Sequence, residues 1–298
     1  MPDFDPLTTR FSARNALLLA QLCSAAYADE SEAKSTTENL EFTDFRWVEL
    51  TSHFNEDVYA IAAGCPEFAV IAFRGTKDVK NWMSDLDATP VSYPWLFEAG
   101  PDIGNIHAGF GHALRDSWSD ISSALADIVH PPPDTPDLKG LSTTPQPTLW
   151  LTGHSLGGAL AVLAGAAFSM WEGAPIRVVN GIYTFGQPRI GLYRFCGNYD
   201  QLLDSRTFRF VNREDLVPRV PFRGWDYADV GTMIHFNSDG TPQLDSQEWT
   251  NFLSRTFQSF ADFFSITTNI SVDVGDHSMQ GYCDLVRNQA DALSRLPL

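Results

Sequence analysis

The sequence has little positive charge and no long apolar run, and these two shortages exclude several kinds of partner. Its 298 residues include 20 Lys and Arg against 37 Asp and Glu, which gives a formal net charge of −17. Such a surface repels nucleic-acid phosphates and disfavours electrostatic docking on anionic lipid. No apolar stretch is long enough to span a bilayer. We therefore expect no nucleic-acid partner and no transmembrane segment, which leaves a neutral or weakly charged ligand open.

Cysteine is also scarce. The four cysteines, at positions 23, 65, 196 and 283, are widely spaced and form neither a CxxC pair nor a cluster with histidine. That pattern lacks the spacing of a zinc site and the density of a disulfide framework. We expect the protein to work without a metal or another cofactor.

The N-terminal stretch "ARNALLLAQLCSAAYA" resembles a secretion signal only superficially. Asp3 and Asp5 weaken the basic region that a signal needs, and Gln21 and Ser24 interrupt the apolar stretch. The apolar residues instead fall at helical spacing. We predict a first amphipathic helix of the folded domain, and we expect the protein to be cytoplasmic or secreted by a non-classical route.

Strands and helices alternate through the second half of the chain. The pattern predicts strands over 148–152, 177–185 and 206–211, with helices over 156–171 and 192–203. This order implies right-handed crossovers and a mostly parallel sheet that is covered by helices on both faces. In such sheets the chemistry collects at the carboxyl ends of the strands.

The first half of the chain adds antiparallel strands to this sheet. The apolar runs "VYAIAAG" and "EFAVIAFRG" are joined by Cys65-Pro66 and predict a hairpin at one edge. A further helix is predicted over 108–130, and a proline-rich surface loop over 130–147. We expect residues 1–298 to form a single α/β domain.

The stretch "LWLTGHSLGGAL" places Ser155 between a predicted strand and a predicted helix. Gly-x-Ser-x-Gly suits a sharp strand-to-helix turn, because larger side chains two residues before and after the serine would collide with the strand or the helix. The N–H groups of the helix that follows favour developing negative charge. Ser155 is therefore a candidate nucleophile, and the backbone N–H of Leu156 is a candidate oxyanion donor.

A serine nucleophile needs a histidine base that is oriented by a carboxylate. In this architecture the chain order is serine, acid, histidine, and only His235 and His277 follow Ser155. His277 lies in a predicted loop, whereas His235 lies in the apolar run "TMIHF", which is typical of a structural strand. Asp215 follows the strand "TFRFV" and is the candidate acid, and Glu214 is its competitor.

Six blocks of sequence resemble one known family. In chain order they are "FRGTKDVKNWMSDL", "IHAGF", "TGHSLGGALA", "YTFGQPRIG", "VNREDLVPRVP" and "DHSMQGY". Over roughly residues 45–282 the chain is similar to the class 3 lipases, the filamentous-fungal type of triacylglycerol lipase. The resemblance implies an α/β-hydrolase fold and assigns the triad roles to Ser155, Asp215 and His277. It also aligns Thr76 with the second oxyanion donor of the family.

A short amphipathic helix is predicted directly after Thr76. Its apolar face carries Val79, Trp82, Met83 and Leu86, and the opposite face is polar. It resembles the lid of the family, here about residues 77–97, which would cover the catalytic groove when closed and contact lipid when open. The other interpretation is a helix that packs permanently on the core.

These observations predict a serine carboxylic-ester hydrolase, most simply a lipase that cleaves acylglycerol esters through an acyl-enzyme at a transient lipid–water interface. The alternatives on the same scaffold are a phospholipase, a feruloyl-type esterase and a short-chain esterase. A non-catalytic lipid-binding or signalling protein is an alternative of a different class. The sequence does not specify an oligomeric state.

Overall fold

A computed structural model of the chain describes residues 4–50, 58–76, 78–79, 88–92, 102–129, 147–170, 176, 178–244, 246–256 and 275–298. The first helices are α1 (Ala13–Ala25) and α2 (Glu30–Asn39). The first strands are β1 (Asp44–Leu50), β2 (Val58–Cys65), β3 (Phe68–Phe73), β4 (Pro90–Ser92) and β5 (Asn105–His107). Next in the chain come α3 (Ala108–Ile128), β6 (Thr148–His154) and α4 (Leu156–Met170).

The rest of the chain completes the sheet and returns to its start. It forms β7 (Val179–Phe185), β8 (Gly191–Leu192), α5 (Tyr193–Leu203) and β9 (Thr207–Asn212). These are followed by β10 (Tyr227–Ala228), β11 (Thr232–Phe236), β12 (Pro242–Gln243) and α6 (Gln247–Thr256). The last elements are α7 (Met279–Asn288) and α8 (Ala290–Leu293).

An eight-stranded sheet organises the molecule, in the order β1-β2-β3-β6-β7-β9-β11-β12. The five central strands from β3 to β11 are parallel to their neighbours, and β1, β2 and β12 add antiparallel pairings at the two edges. The predicted parallel sheet with N-terminal antiparallel strands is therefore confirmed. A second sheet, in the order β10-β8-β5-β4, was not predicted.

Two apolar layers cover the sheet. On one face α3, α4 and α5 bury a core that includes Phe110, Leu160 and Tyr199. On the other face α1, α7 and α8 bury a second core that includes Leu19 and Tyr282. Every residue of β3, β6, β7 and β9 is buried, as expected for parallel strands that are covered on both faces.

The predicted first helix is confirmed as α1. Ser12 caps it by accepting a hydrogen bond from the N–H of Asn15, and its apolar side packs against β6 and α7. All four cysteines carry free thiols. No helix within the described ranges combines the length and the apolar character needed to cross a bilayer.

Candidate active site

The turn between β6 and α4 holds Ser155 in a left-handed backbone conformation. Its φ is 56°, a value that few residues other than glycine adopt, and its side chain is fully buried. The N–H of Ser155 donates to the carbonyl oxygen of Phe185 at the end of the neighbouring strand β7, at 3.0 Å. Strained backbone of this kind persists only where the surrounding structure fixes it, so β6, β7 and α4 together present this serine.

Close approach of backbone explains the two glycines around Ser155. A Cβ atom at Gly157 would overlap the carbonyl oxygen of Phe73 in β3, and one at Gly153 would overlap the carbonyl oxygen of Gly157. Both obstacles are main-chain atoms of the packed core, which cannot move aside cheaply. The structure therefore confirms that side chains at these two glycines would collide with the backbone, as the Gly-x-Ser-x-Gly spacing predicts.

Asp215 lies beyond the end of β9 and is buried. Its Oδ2 atom is 2.7 Å from Nδ1 of His277 and also accepts the hydroxyl hydrogen of Tyr282, at 2.6 Å. Its Oδ1 atom accepts from the N–H of Val217, at 2.9 Å. Three donors thus hold one carboxylate in a single orientation.

Glu214, the competing acid, lies beside this arrangement but does not join it. Its side chain is exposed, and its backbone N–H points to Oδ2 of Asp276 at 3.4 Å. The structure therefore brings Asp215 and His277 together and leaves the Glu214 carboxylate in solvent.

His277 is buried at the end of a short 3-10 turn (Gly275–His277). The preceding Asp276 connects this turn to the segment around Asp215. Its carbonyl oxygen accepts a hydrogen bond from Nδ2 of Asn212 at 2.9 Å, and its carboxylate lies 3.7 Å from the Arg213 guanidinium. The free ring nitrogen of His277, Nε2, and the Oγ atom of Ser155 are buried atoms without a hydrogen-bond partner among the described residues. These are the two atoms between which a nucleophile–base pair would transfer its proton.

Gly186 closes the site from the end of β7. Its φ is +59°, and a Cβ atom there would lie 2.8 Å from Nδ1 of His277 and 2.9 Å from Oδ2 of Asp215. The backbone of residue 186 therefore sits directly against the His277–Asp215 hydrogen bond. Any side chain at this position would push that pair apart.

The two candidate oxyanion donors approach the site from different elements. Leu156 is the first residue of α4, so its N–H has no carbonyl partner within the helix. Thr76 follows β3 and is buried, and its Oγ1 atom accepts from the N–H of Asp78 at 3.2 Å. Both therefore lie where the sequence predicts oxyanion donors, Leu156 directly after Ser155 and Thr76 in the loop after β3.

A pocket of about 430 Å³ opens beside the candidate catalytic groups. Thr76, Val79 and His277 line it, together with Tyr27 and Met279. Val79 is half-buried and packs against the larger core. Trp82, Met83 and Leu86, the other residues of the predicted lid face, lie outside the described residues, as does most of the predicted lid and of the predicted 130–147 loop.

Two tyrosines at the site were not predicted. Tyr282 lies on α7, five positions after His277. It is the last residue of the quoted block "DHSMQGY", so its place in that block could have indicated a role at the site. Burial, and the negative charge of Asp215, raise the pKa of Tyr282 well above its ordinary value, so that it remains a hydrogen donor. Tyr27 follows α1, and no local pattern distinguishes it from other aromatic residues.

His235 is a structural residue of a strand, as the apolar run "TMIHF" predicts. It lies in β11, is buried, and places Nε2 at 2.8 Å from the carbonyl oxygen of Arg213. That carbonyl can only accept, so Nε2 of His235 carries the hydrogen. The ring therefore holds the backbone of Arg213, two residues before Asp215.

The sequence profile of the family described as Lipase (class 3) matches residues 70–225. This match covers more than half of the chain, including the strained serine turn and Asp215. The chain belongs to the class 3 lipase family. The predicted family resemblance is thereby confirmed.

Other class 3 lipases and their relatives match as well. A triacylglycerol lipase of Ricinus communis is 31% identical over 57% of this chain and 38% of its own length. A phospholipase A1 of Oryza sativa is 29% identical over 59% of this chain and 44% of its own length. The chain thus spans less than half the length of these curated relatives.

The fold is shared with solved lipases. The structure of the Rhizomucor miehei triacylglyceride lipase superposes with a TM-score of 0.60 at 23% identity, covering 83% of this chain and 91% of the solved one. The α/β-hydrolase fold that the family resemblance implies is therefore confirmed.

Proposed function

We propose that this chain is a serine carboxylic-ester hydrolase that cleaves acylglycerol esters. The observation that carries the proposal is the strained, buried Ser155 at the end of β6, in a site where His277 is hydrogen-bonded to Asp215 at 2.7 Å. The class 3 lipase family and the triacylglycerol lipase relative support the ester class.

Acylation would begin with attack of Ser155 Oγ on the ester carbonyl carbon. Nε2 of His277 accepts the serine proton, and Asp215 holds Nδ1–H and stabilises the imidazolium that forms. The backbone N–H groups of Thr76 and Leu156 would stabilise the tetrahedral oxyanion, and losing one such donor typically costs about 100- to 1000-fold in rate. His277 then protonates the leaving alcohol, which leaves an acyl-serine.

Deacylation repeats the same steps with water. His277 removes a proton from water, the hydroxide adds to the acyl carbon, and the second tetrahedral intermediate collapses to release the fatty acid. The proton returns to Ser155 Oγ, so that the site is restored.

The substrate class follows from the pocket and from the predicted lid. Val79 and Met279 give the pocket apolar walls suited to an acyl chain. We propose that the amphipathic segment after Thr76 opens at a lipid–water interface, which favours aggregated lipid esters over soluble ones. The phospholipase A1 relative makes phospholipid the second candidate substrate.

The test combines a covalent serine probe with a set of three substrates. We expect a fluorophosphonate to label the wild-type protein and a Ser119→Ala control, whose exposed serine lies on α3, but not Ser155→Ala. Emulsified triacylglycerol should be hydrolysed faster than phospholipid or a soluble aryl ester, and Ser155→Ala should lose this activity while remaining folded by circular dichroism. A faster reaction with phospholipid would reassign the substrate, and no labelling of the folded wild-type protein would contradict ester hydrolysis altogether.

A further inference from the structure

His154, the residue before the candidate nucleophile, bridges two other segments of the site. It is buried, and its Nε2 atom lies 2.7 Å from the backbone carbonyl oxygen of His277. Its Nδ1 atom lies 2.6 Å from the hydroxyl oxygen of Tyr27. That hydroxyl oxygen in turn accepts a hydrogen bond from the N–H of Gly75, at 3.1 Å.

The hydrogens in this chain of contacts have one consistent arrangement. A carbonyl oxygen only accepts, so Nε2 of His154 must carry the hydrogen that it donates to His277. A neutral imidazole has a single N–H, so Nδ1 accepts, and Tyr27 donates its hydroxyl hydrogen to it. The Tyr27 oxygen then has a lone pair for the N–H of Gly75.

Burial keeps the ring in this neutral form. It lowers the pKa of His154 well below its ordinary value, and the adjacent His277 ring acts in the same direction. A neutral ring with both nitrogens occupied cannot also serve as the base for Ser155. His154 is therefore available for a structural task at the site.

The three hydrogen bonds of Tyr27 and His154 form a bridge between three segments whose relative positions the proposed reaction requires. Gly75 precedes Thr76, a candidate oxyanion donor; His154 precedes Ser155; and the bridged carbonyl belongs to His277 itself. The rings of His154 and His277 also lie face to face at a tilt, with centroids 4.5 Å apart and planes at 35°. Movement of any one segment would break a buried hydrogen bond.

We propose that His154 is a positioning residue which, as the neutral Nε2–H tautomer, holds the His277 turn and, through Tyr27, the oxyanion loop in register with Ser155. This rests on the proposed ester hydrolysis. His154 acts through His277 and Gly75 and does not touch the substrate's reacting atoms. Loss of the bridge lets the base and the oxyanion donors drift from the geometry that the transition state requires, which lowers kcat more than it raises KM.

Nitrogen NMR of the histidine-labelled wild-type protein tests the tautomer directly. At pH 7 we expect the Nε2–H histidine signals to include one that disappears in His154→Gln, while the Nε2–H signal of His235 remains. An Nδ1–H tautomer at His154 would donate to Tyr27 and would lose the hydrogen bond to the His277 carbonyl, which cannot donate, and this result would overturn the proposal. The tautomer is measured on the unmodified protein, and the His154→Gln variant serves only to assign the signal.

Kinetics of Tyr27→Phe test the positioning role. Removing the hydroxyl takes away both of its hydrogen bonds, the one to His154 and the one from Gly75, and we expect a roughly fivefold to tenfold loss in kcat with KM changed less than twofold. The matched control is Tyr183→Phe, because Tyr183 packs in the same apolar core as the partly buried Tyr27, and its hydroxyl accepts from the N–H of Ser12, at 2.9 Å, away from the site. We expect the control to lose stability while keeping its kcat.

Two further comparisons separate positioning from packing. His154→Gln retains an amide donor that can reach the His277 carbonyl, so its kcat should exceed that of His154→Leu. Combining Tyr27→Phe with His154→Leu should reduce kcat no further than His154→Leu alone, since both changes remove one bridge. Unchanged kcat in folded Tyr27→Phe would overturn this proposal alone, whereas an active Ser155→Ala protein would overturn the proposed function.

Discussion

Asp215 accepts three hydrogen bonds, from His277, Tyr282 and the backbone of Val217. A carboxylate held by that many donors cannot rotate, so it selects the His277 tautomer in which Nδ1 carries the hydrogen. Nε2 is then the nitrogen that can accept a proton from Ser155. The orientation of one side chain thus determines which atom of another is basic.

Replacing this carboxylate should therefore be far more harmful than replacing its neighbour. Asp215→Asn presents an amide that allows the wrong His277 tautomer, and we expect kcat to fall by roughly 10⁴-fold. Glu214→Gln alters an exposed side chain and should leave kcat within about twofold, because surface changes have small effects. Steady-state kinetics on a soluble ester compare the two variants, and a larger loss in Glu214→Gln would transfer the orienting role to residue 214.

At the scale of elements, the turn that follows β7 matters as much as the serine turn that follows β6. Residue 186 has a positive φ and faces the His277–Asp215 pair without a side chain. The turn after this strand places only backbone atoms at the site. They leave room for the His277–Asp215 pair and limit how far that pair can move.

Gly186→Ala should lower kcat, whereas Gly197→Ala, a glycine-to-alanine change on a helix, should not. The new methyl group would clash with His277 and Asp215 and would strain the left-handed backbone, so we expect at least a tenfold loss in kcat together with a lower melting temperature. The control is Gly197→Ala, where a Cβ atom meets nothing within 4 Å on helix α5 and should slightly raise stability. Thermal unfolding and kinetics measured on both proteins decide the matter, and full activity in Gly186→Ala would contradict the site geometry.

The elements differ in how well their sequence predicts them. Continuous hydrophobic runs predicted the central strands β6, β7 and β9, because each is buried on both faces. The sheet β10-β8-β5-β4 was missed, because its strands are only two or three residues long and have no period to detect. Tyr27 was missed for another reason, since its role depends on contacts with Gly75 and His154 that are distant in sequence.

For the whole molecule, the buried neutral His154 makes stability depend on pH. In the unfolded chain a histidine binds a proton below pH about 6.5, whereas burial lowers the pKa of folded His154 well below that value. The unfolded state then binds more protons, so the stabilisation is complete above pH 6.5 and is lost as the pH falls. The slope is at most about 1.4 kcal/mol per pH unit.

Urea unfolding between pH 7.5 and 5.5 measures this slope. The midpoint of the wild-type protein should fall more steeply with decreasing pH than that of His154→Gln, since the other histidines contribute equally to both. Among the residues that the structure describes, the titratable groups Tyr27, Tyr282 and His277 contact the His154 ring. Parallel curves for the two proteins would show that His154 does not titrate on unfolding.

The ion pairs of Asp229 should not contribute in that range of pH. Burial alone would raise the pKa of Asp229, but Arg209, Arg189 and Arg223 outweigh it and hold that pKa at about 2. The carboxylate thus remains ionised at pH 5.5, and its stabilising effect is lost only as the pH falls from about 4 through 2.

The packing of α1 against α7 brings segments that are far apart in sequence to one place, with Tyr27 on one side and His277 on the other. A growing polypeptide that has emerged only past Ser155 would carry its reactive hydroxyl without a partner to activate it. The site would then become complete only when the segment that carries His277 has been made and has docked. A polypeptide that stopped before His277 would lack the base that the proposed ester hydrolysis needs.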